Sequence, residues 1–143
     1  MLRQKVVALA SLAGAGISIY LTIVHYSTVP LACPQTSMVN CEQVLSSSFA
    51  VIGGSGVPTS AAGIVWFVVS GGLAVAFWLW PKPVLPMLQL AWSGIGLMTV
   101  LFLLYIEIVQ LGAVCIWCTG AHVLVLLIFL VSLNQPATRV REG

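Results

Sequence analysis

One segment of the sequence, residues 114–133, reads VCIWCTGAHVLVLLIFLVSL and joins a dithiol motif to a long apolar run. About 20 residues of α-helix are enough to cross the hydrocarbon core of a bilayer. Cys115 and Cys118, the C-x-x-C pair, stand at one end of the run. Residues three apart in a helix lie on the same face. The segment therefore predicts a membrane-spanning helix with two thiols at its water-facing end.

Three further stretches of the chain have the same apolar character. They cover about residues 6–26, 58–80 and 84–110, and a polar segment rich in Gly and Ser, residues 27–57, separates the first two. Polar backbone cannot face lipid, so each stretch is expected to be helical. Short connections make neighbouring helices antiparallel. The prediction is an all-α integral membrane protein, built as a four-transmembrane-helix bundle.

The composition supports a membrane protein and excludes several other classes. Of the 143 residues, 60% are hydrophobic and 6% are charged, and the mean hydropathy is +1.12. Soluble domains carry about 25% charged residues. The few charged side chains leave no surface for nucleic acid. We expect one domain over residues 1–143, without a fused thioredoxin-like domain, in contact with membrane lipid.

The basic residues predict the orientation of the bundle. All five fall at the N-terminus, in the second connection or in the C-terminal tail: Arg3, Lys5, Lys82, Arg139 and Arg141. Cytoplasmic segments are enriched in Lys and Arg. Both termini are therefore expected in the cytoplasm and the cysteines outside it. The first span is longer than a signal-peptide core and is interpreted as a retained anchor. We expect a multi-pass protein of the cell (inner) membrane, with the ER membrane as the alternative.

The four cysteines form two pairs near the predicted membrane surface. Cys33 and Cys41, the loop pair, lie in segment 27–57. Disulfides persist in an oxidising compartment, and a helix N-terminus lowers the pKa of a thiol placed there. C-x-x-C is typical of reversible disulfides, whereas a C-x7-C partner does not suit a zinc site. Thr119, rather than His, follows the C-x-x-C and excludes haem attachment. A purely structural role for all four cysteines is the competing interpretation.

The loop pair is predicted to connect the membrane surface with the outside. Asn40 and Gln43 are typical of a helix start, with Asn40 as N-cap and Cys41 in the first turn. The apolar residues of segment 44–52 predict a short surface helix over the bundle. The loop pair can reach a soluble dithiol, whereas the C-x-x-C pair lies against a hydrophobic acceptor. Spacing leaves open whether Cys33 or Cys41 faces outward.

The chain resembles the vitamin K epoxide reductase family, in particular its bacterial and archaeal members. The resemblance rests on the C-x7-C loop pair, on GVPTS at residues 56–60, and on the runs YIE at 105–107 and GAVCIWC at 112–118. The loop pair comes first and the C-x-x-C second. The functionally analogous DsbB family has the opposite order, which argues against it.

This resemblance implies a quinone-linked oxidoreductase. In such proteins a four-helix bundle encloses a quinone near the C-x-x-C, and the loop pair receives electrons from a thioredoxin-fold protein. Carried over by position, Cys118 faces the quinone and Cys115 exchanges with the loop pair. The expected acceptor is ubiquinone, menaquinone or phylloquinone, with no metal, and the expected partner is a separate DsbA-like dithiol protein.

Polar residues inside the spans are candidates for the quinone site. His122 lies one helical turn beyond Cys118, where it either bonds a quinone carbonyl or a neighbouring helix. Glu107 either relays a proton or is an interfacial carboxylate. Thr59 and Ser60 cap the second span, and Thr59 is also a candidate quinone contact. His25 is interpreted as interfacial. Four glycines are expected to allow close helix packing: Gly71, Gly72, Gly94 and Gly96.

Two other functions compete with disulfide formation in a periplasmic partner. One keeps the fold but reduces vitamin K quinone or its epoxide in the ER. The other is a non-enzymatic membrane protein with structural disulfides or a metal site.

Overall fold

A computed structural model of the protein describes residues 1–135. Four long helices cross the bundle: α1 (Leu2–Tyr26), α3 (Thr59–Leu79), α4 (Val84–Tyr105) and α5 (Ile116–Leu133); a short helix, α2 (Cys41–Leu45), lies between the first two. A 3₁₀ turn follows α2 at Ser48–Ala50, and α4 continues as a π-helical turn at Ile106–Leu111. All four long helices are apolar and long enough to span a membrane. The prediction of an all-α four-helix membrane bundle is confirmed.

Some predicted boundaries differ from the observed ones. The first helix begins at Leu2, and the fourth begins at Ile116 rather than at residue 114. Val114 pairs with the loop, and Cys115, the N-cap residue of α5, has an extended backbone. Arg139 and Arg141 lie outside the described residues, as does the end of the predicted domain.

Helices α1 and α3 approach closely through small residues. The buried positions of α1 recur every three or four residues: Gln4, Val7, Ser11, Gly14, Ser18 and Leu21. A Cβ atom at Gly14 would collide with the ring of Phe67. A Cβ at Gly63 would lie 2.8 Å from the Ser18 hydroxyl oxygen. In a membrane, where lipid is as apolar as the helix surface, such close packing is a main source of helix association.

The contact between α3 and α4 centres on two tryptophans. Trp66 packs directly over Gly96, which has no room for a Cβ. The Nε1–H of Trp66 donates to the Trp92 carbonyl at 3.3 Å, and the Nε1–H of Trp92 donates to the Trp66 carbonyl at 3.1 Å. The prediction for the glycines is half right. Gly96 and Gly71 meet a neighbouring helix. Gly72 and Gly94 face open space, so the prediction of close packing is wrong for them.

The outward faces of the helices carry large apolar side chains. Leu12, Val65, Met98 and Leu130 are all exposed. Contiguous apolar surface of this kind is rare on a soluble monomer. It is the surface that a bilayer covers, and it fits the location of the protein in a membrane.

Candidate active site: two cysteine pairs beside an apolar cavity

The two cysteine pairs meet at one end of the bundle. Cys33 and Cys41 are joined by a disulfide, whereas Cys115 and Cys118 are free thiols. Cys41 and Cys115 are 1% and 0% exposed and share one buried cluster, and Cys33 and Cys118 pack at its edge. The structure therefore represents a state in which the loop pair is oxidised and the C-x-x-C pair is reduced.

A short backbone pairing brings the loop to the C-x-x-C. Val39 and Val114 form a parallel bridge. The N–H of Asn40 donates to the Val114 carbonyl at 3.1 Å, and the N–H of Val114 donates to the Met38 carbonyl at 2.9 Å. Cys41 follows this bridge by two residues and Cys115 by one. The pairing therefore fixes the inner cysteine of the loop beside the first cysteine of the C-x-x-C.

The predicted helix start at Asn40 is confirmed. The Asn40 side-chain oxygen accepts a hydrogen bond from the N–H of Gln43 at 3.0 Å, and Cys41 is the first residue of α2. The Gln43 side-chain amide donates to the Leu111 carbonyl at 3.2 Å. Helix α2 is thus tied to the end of α4, and Cys41 is held from both sides.

Cys115 caps α5 instead of lying in its first turn. Its backbone is extended, with φ −100° and ψ 120°, and its sulfur accepts a hydrogen bond from the N–H of Cys118 at 3.3 Å. The prediction that Cys115 lies within the helix was therefore wrong. The first N–H groups of a helix have no backbone partner, and the Cys115 sulfur accepts a hydrogen bond from one of them. The Cys118 thiol and the backbone N–H groups of Trp117 and Cys118 lower the pKa of Cys115, although burial opposes them.

An apolar cavity of about 270 Å³ lies next to the C-x-x-C pair. All four long helices contribute to its wall. The wall includes every side chain that the sequence nominates for a quinone site: Thr59, Glu107, Cys118 and His122. Cys115 is not part of the wall. The arrangement puts one thiol of the pair toward the cavity and the other toward the loop.

The segment after Cys41 forms the roof of the cavity, as the sequence predicted. Val44, Leu45, Phe49 and Ala50 line it. The Thr59 hydroxyl donates to the Phe49 carbonyl at 3.1 Å and ties the roof to α3. The predicted capping by Thr59 and Ser60 is wrong, because Pro58 is the N-cap residue and no side chain caps α3. The Ser60 hydroxyl instead pairs with the Thr22 hydroxyl at 2.8 Å.

Within residues 1–135, Glu107 and His122 each present a polar atom without a hydrogen-bond partner. Glu107 is 4% exposed, which contradicts an interfacial carboxylate, and its Oε2 is unpaired. His122 is 9% exposed, and its Nδ1 is unpaired. Buried polar atoms without partners are uncommon and each requires an explanation. Both side chains line the cavity, so a ligand with polar atoms would satisfy them.

His25 is a titratable residue of the cavity wall that the sequence analysis did not assign to the site. It lines the cavity together with Ser18 and Leu21, although its position suggested an interfacial role. The available signal was its spacing of four residues from Leu21 and seven from Ser18, which puts it on the same face of α1. The cavity wall therefore carries two histidines, His25 and His122.

A comparison with curated proteins gives no match to this chain. The family model for the vitamin K epoxide reductase family matches residues 5–133. This range includes all four spanning helices and both cysteine pairs, so the chain belongs to the vitamin K epoxide reductase family, whose members are membrane oxidoreductases that link thiols to a quinone.

Proposed function

We propose that this protein generates disulfides in a thioredoxin-fold, DsbA-like partner outside the cytoplasm and passes the electrons to a membrane quinone. The electrons enter at the loop pair and leave from the C-x-x-C pair. One observation carries the proposal: Cys41 and Cys115 are buried together, while Cys118 lines the cavity.

The exposure of the loop pair supports an order of attack. Cys33 is half-buried, whereas Cys41 is sealed against Cys115. A partner thiolate therefore attacks the Cys33 sulfur and releases Cys41 as the leaving thiolate. The second thiol of the partner then attacks the partner sulfur that is bonded to Cys33 and releases Cys33. The partner leaves with a disulfide, and the loop pair is reduced.

The next step passes the two electrons inward. The Cys41 thiolate attacks the Cys115 sulfur of an oxidised C-x-x-C pair, and Cys118 leaves as a thiolate. Cys33 then attacks Cys41, which re-forms the loop disulfide and releases Cys115. The product is an oxidised loop pair with a reduced C-x-x-C pair, which is the state that the structure represents.

The cavity fits the head group of a quinone. Its volume of about 270 Å³ is near the lower end of the roughly 300–1,000 Å³ found for small-molecule sites. The unpaired Nδ1 of His122 and the carboxyl of Glu107 would meet the two carbonyl oxygens. Quinone supplies a two-electron acceptor, and the reduced C-x-x-C pair provides two electrons and two protons. The Cys118 sulfur would make the contact, and Glu107 would relay a proton.

Thr59 has a narrower role in this proposal than the other wall residues. Its hydroxyl hydrogen is committed to the Phe49 carbonyl, so only its oxygen lone pairs face the cavity. Thr59 would contact the quinone ring and hold the roof closed over it.

The distribution of charge supports the proposed orientation. Arg3 bonds the Asn134 carbonyl, and Lys5 lies over the Trp78 ring at 5.7 Å, at the end of the bundle opposite the cysteines. By the positive-inside rule that end, with the N-terminus and the last residues of α5, faces the cytoplasm. The cysteines would then face an oxidising compartment, outside the inner membrane or, in the alternative, in the ER lumen.

The test is quinone reduction by the purified protein with a reduced DsbA-like protein as electron donor. We expect Cys118→Ala to abolish quinol formation with every donor. Cys33→Ala should abolish it with the protein donor but retain it with a small membrane-permeant dithiol, which reaches the C-x-x-C pair directly. Ser37→Ala, an exposed change in the same loop, is the matched control and should behave as the wild type.

Two outcomes would overturn the proposal. One is a wild-type protein that reduces no quinone with any dithiol, and the other is a Cys118→Ala variant that remains active. Turnover of vitamin K epoxide by the wild type would instead favour the ER reductase.

A further inference from the structure

Two aromatic side chains form hydrogen bonds with the backbone of Ala32, the residue before Cys33. The N–H of Ala32 donates to the Tyr20 hydroxyl at 3.2 Å, and the Nε1–H of Trp117 donates to the Ala32 carbonyl at 2.8 Å. The rings of Tyr20 and Trp117 are in contact, with centroids 5.0 Å apart. We call these two side chains the Ala32 clamp. They come from two different spanning helices, α1 and α5.

The clamp holds an otherwise loosely attached part of the chain. Among the described residues, the backbone from 28 to 35 makes no other N–H or O–H hydrogen bond. Residues 34–38 are exposed. On the other side of the loop, Cys41 is fixed by α2 and by the Val39–Val114 bridge. Leu31 and Cys33 also pack against the cluster around Cys41, and the clamp adds the hydrogen bonds that keep Cys33 near Cys41 when no disulfide joins them.

We propose that Tyr20 and Trp117 are positioning residues that hold Cys33 ready to resolve the Cys41–Cys115 disulfide. This inference rests on the proposed relay. In the step concerned, the Cys33 thiolate attacks the Cys41 sulfur, the S–S bond between Cys33 and Cys41 forms, and Cys115 leaves as a thiolate. No electrons are gained or lost overall, so the outcome depends on how close Cys33 is held.

The size of the effect follows from the two hydrogen bonds. A free segment has to lose conformational entropy before its thiol meets a target, and a tether reduces that loss. One hydrogen bond contributes about 1 kcal/mol net, which is about fivefold in an equilibrium constant. Removing either bond should therefore lower the ratio of Cys33–Cys41 to Cys41–Cys115 disulfide by up to about fivefold.

The experiment measures that ratio directly and needs neither quinone nor partner. The full chain with Cys118→Ala, so that the C-x-x-C pair cannot close, is reduced and then given one equivalent of oxidant. After equilibration, the thiols are quenched by alkylation, and the disulfide isomers are counted by peptide mass spectrometry. Tyr20→Phe and Trp117→Phe are compared in this background, because each keeps an aromatic ring and loses one hydrogen bond.

A matched control separates positioning from general stability. Trp92→Phe also removes a tryptophan N–H bond to the backbone carbonyl of another helix, but away from the cysteines. We expect the isomer ratio to fall by three- to fivefold in Tyr20→Phe and in Trp117→Phe, a range set by about 1 kcal/mol per bond, and to stay unchanged in Trp92→Phe.

An unchanged ratio in both clamp variants, or an equal fall in Trp92→Phe, would overturn the inference. Failure of the proposed function is a separate result, because it appears as a wild-type protein that reduces no quinone whatever the ratio is.

Discussion

Replacing Gly14 with Ala should weaken the contact between α1 and α3. Gly14 lies against the ring of Phe67, a 3%-exposed residue that also lines the cavity. Even the third-nearest ring carbon, Cδ1, would lie only 2.5 Å from the new methyl group, while ordinary contacts begin at 3.4 Å. The ring or the helix has to withdraw by at least 0.9 Å, the difference of these two distances.

A neighbouring glycine makes the size of this effect measurable. Gly16 is on the same helix, and a Cβ there has nothing within 4 Å. Both changes gain the same helix propensity, about 1 kcal/mol for Ala over Gly. Overpacking of a filled core costs about 1–3 kcal/mol. Gly14→Ala should therefore be about 2 kcal/mol less stable than Gly16→Ala, which corresponds to a midpoint roughly 4–8 °C lower.

The assay is thermal unfolding of both variants in the same detergent, followed by circular dichroism, with quinone reduction measured in parallel. Because Phe67 is part of the cavity wall, we also expect a higher KM for quinone in Gly14→Ala only. Equal unfolding midpoints for the two variants would refute the close-packing argument, since helix propensity alone cannot distinguish them.

Four further predictions concern the site. Glu107→Gln should lower kcat for quinone reduction by about 10²-fold with KM almost unchanged, because general acid–base catalysis contributes at least this much. His122→Phe should instead raise KM for quinone about fivefold through one lost hydrogen bond. Steady-state kinetics would contradict both roles if neither kcat nor KM changed. Asn40→Ala should lower the unfolding midpoint by about 2–4 °C, the effect of losing a cap of about 1 kcal/mol, and a scan that matches the wild type would refute it. Because the pKa of Cys115 is lowered, its thiolate should persist as the pH falls below the ordinary cysteine pKa. Ultraviolet titration of the thiolate in a variant without the loop cysteines should show this. Adding Cys118→Ala should move the midpoint of the Cys115 titration to higher pH.

Much of the fold was predictable because the bilayer imposes a simple requirement on sequence. Apolar runs of about 20 residues must be helical, so the four spans followed from composition and length alone. The packing of the helices was harder to predict. Gly14 and Gly63 matter because of what faces them on a neighbouring helix, and a single sequence carries no information about which faces meet. For the same reason two of the four nominated glycines were wrong.

The site was predictable where local chemistry defines it and unpredictable where tertiary contacts do. The helix start at Asn40 depends on residues within one helical turn, from Asn40 to Gln43, and was predicted correctly. Cys115 outside its helix was missed, because the Val39–Val114 pairing that extends the backbone joins residues distant in sequence. The hydrogen bond from Trp117 to Ala32 was not predicted either, since nothing local indicates that its N–H reaches that residue.

The Val39–Val114 bridge acts as a ruler that limits how this chain can vary. Cys41 and Cys115 stand at fixed offsets of two residues and one residue from it, so an insertion between either cysteine and its bridge residue would separate the two sulfurs. Residues 34–38 are exposed and precede Val39, on the side of the bridge away from Cys41. Relatives of this protein should therefore differ in the side chains of this stretch while keeping both offsets and the C-x7-C spacing, and an engineered label is best attached there.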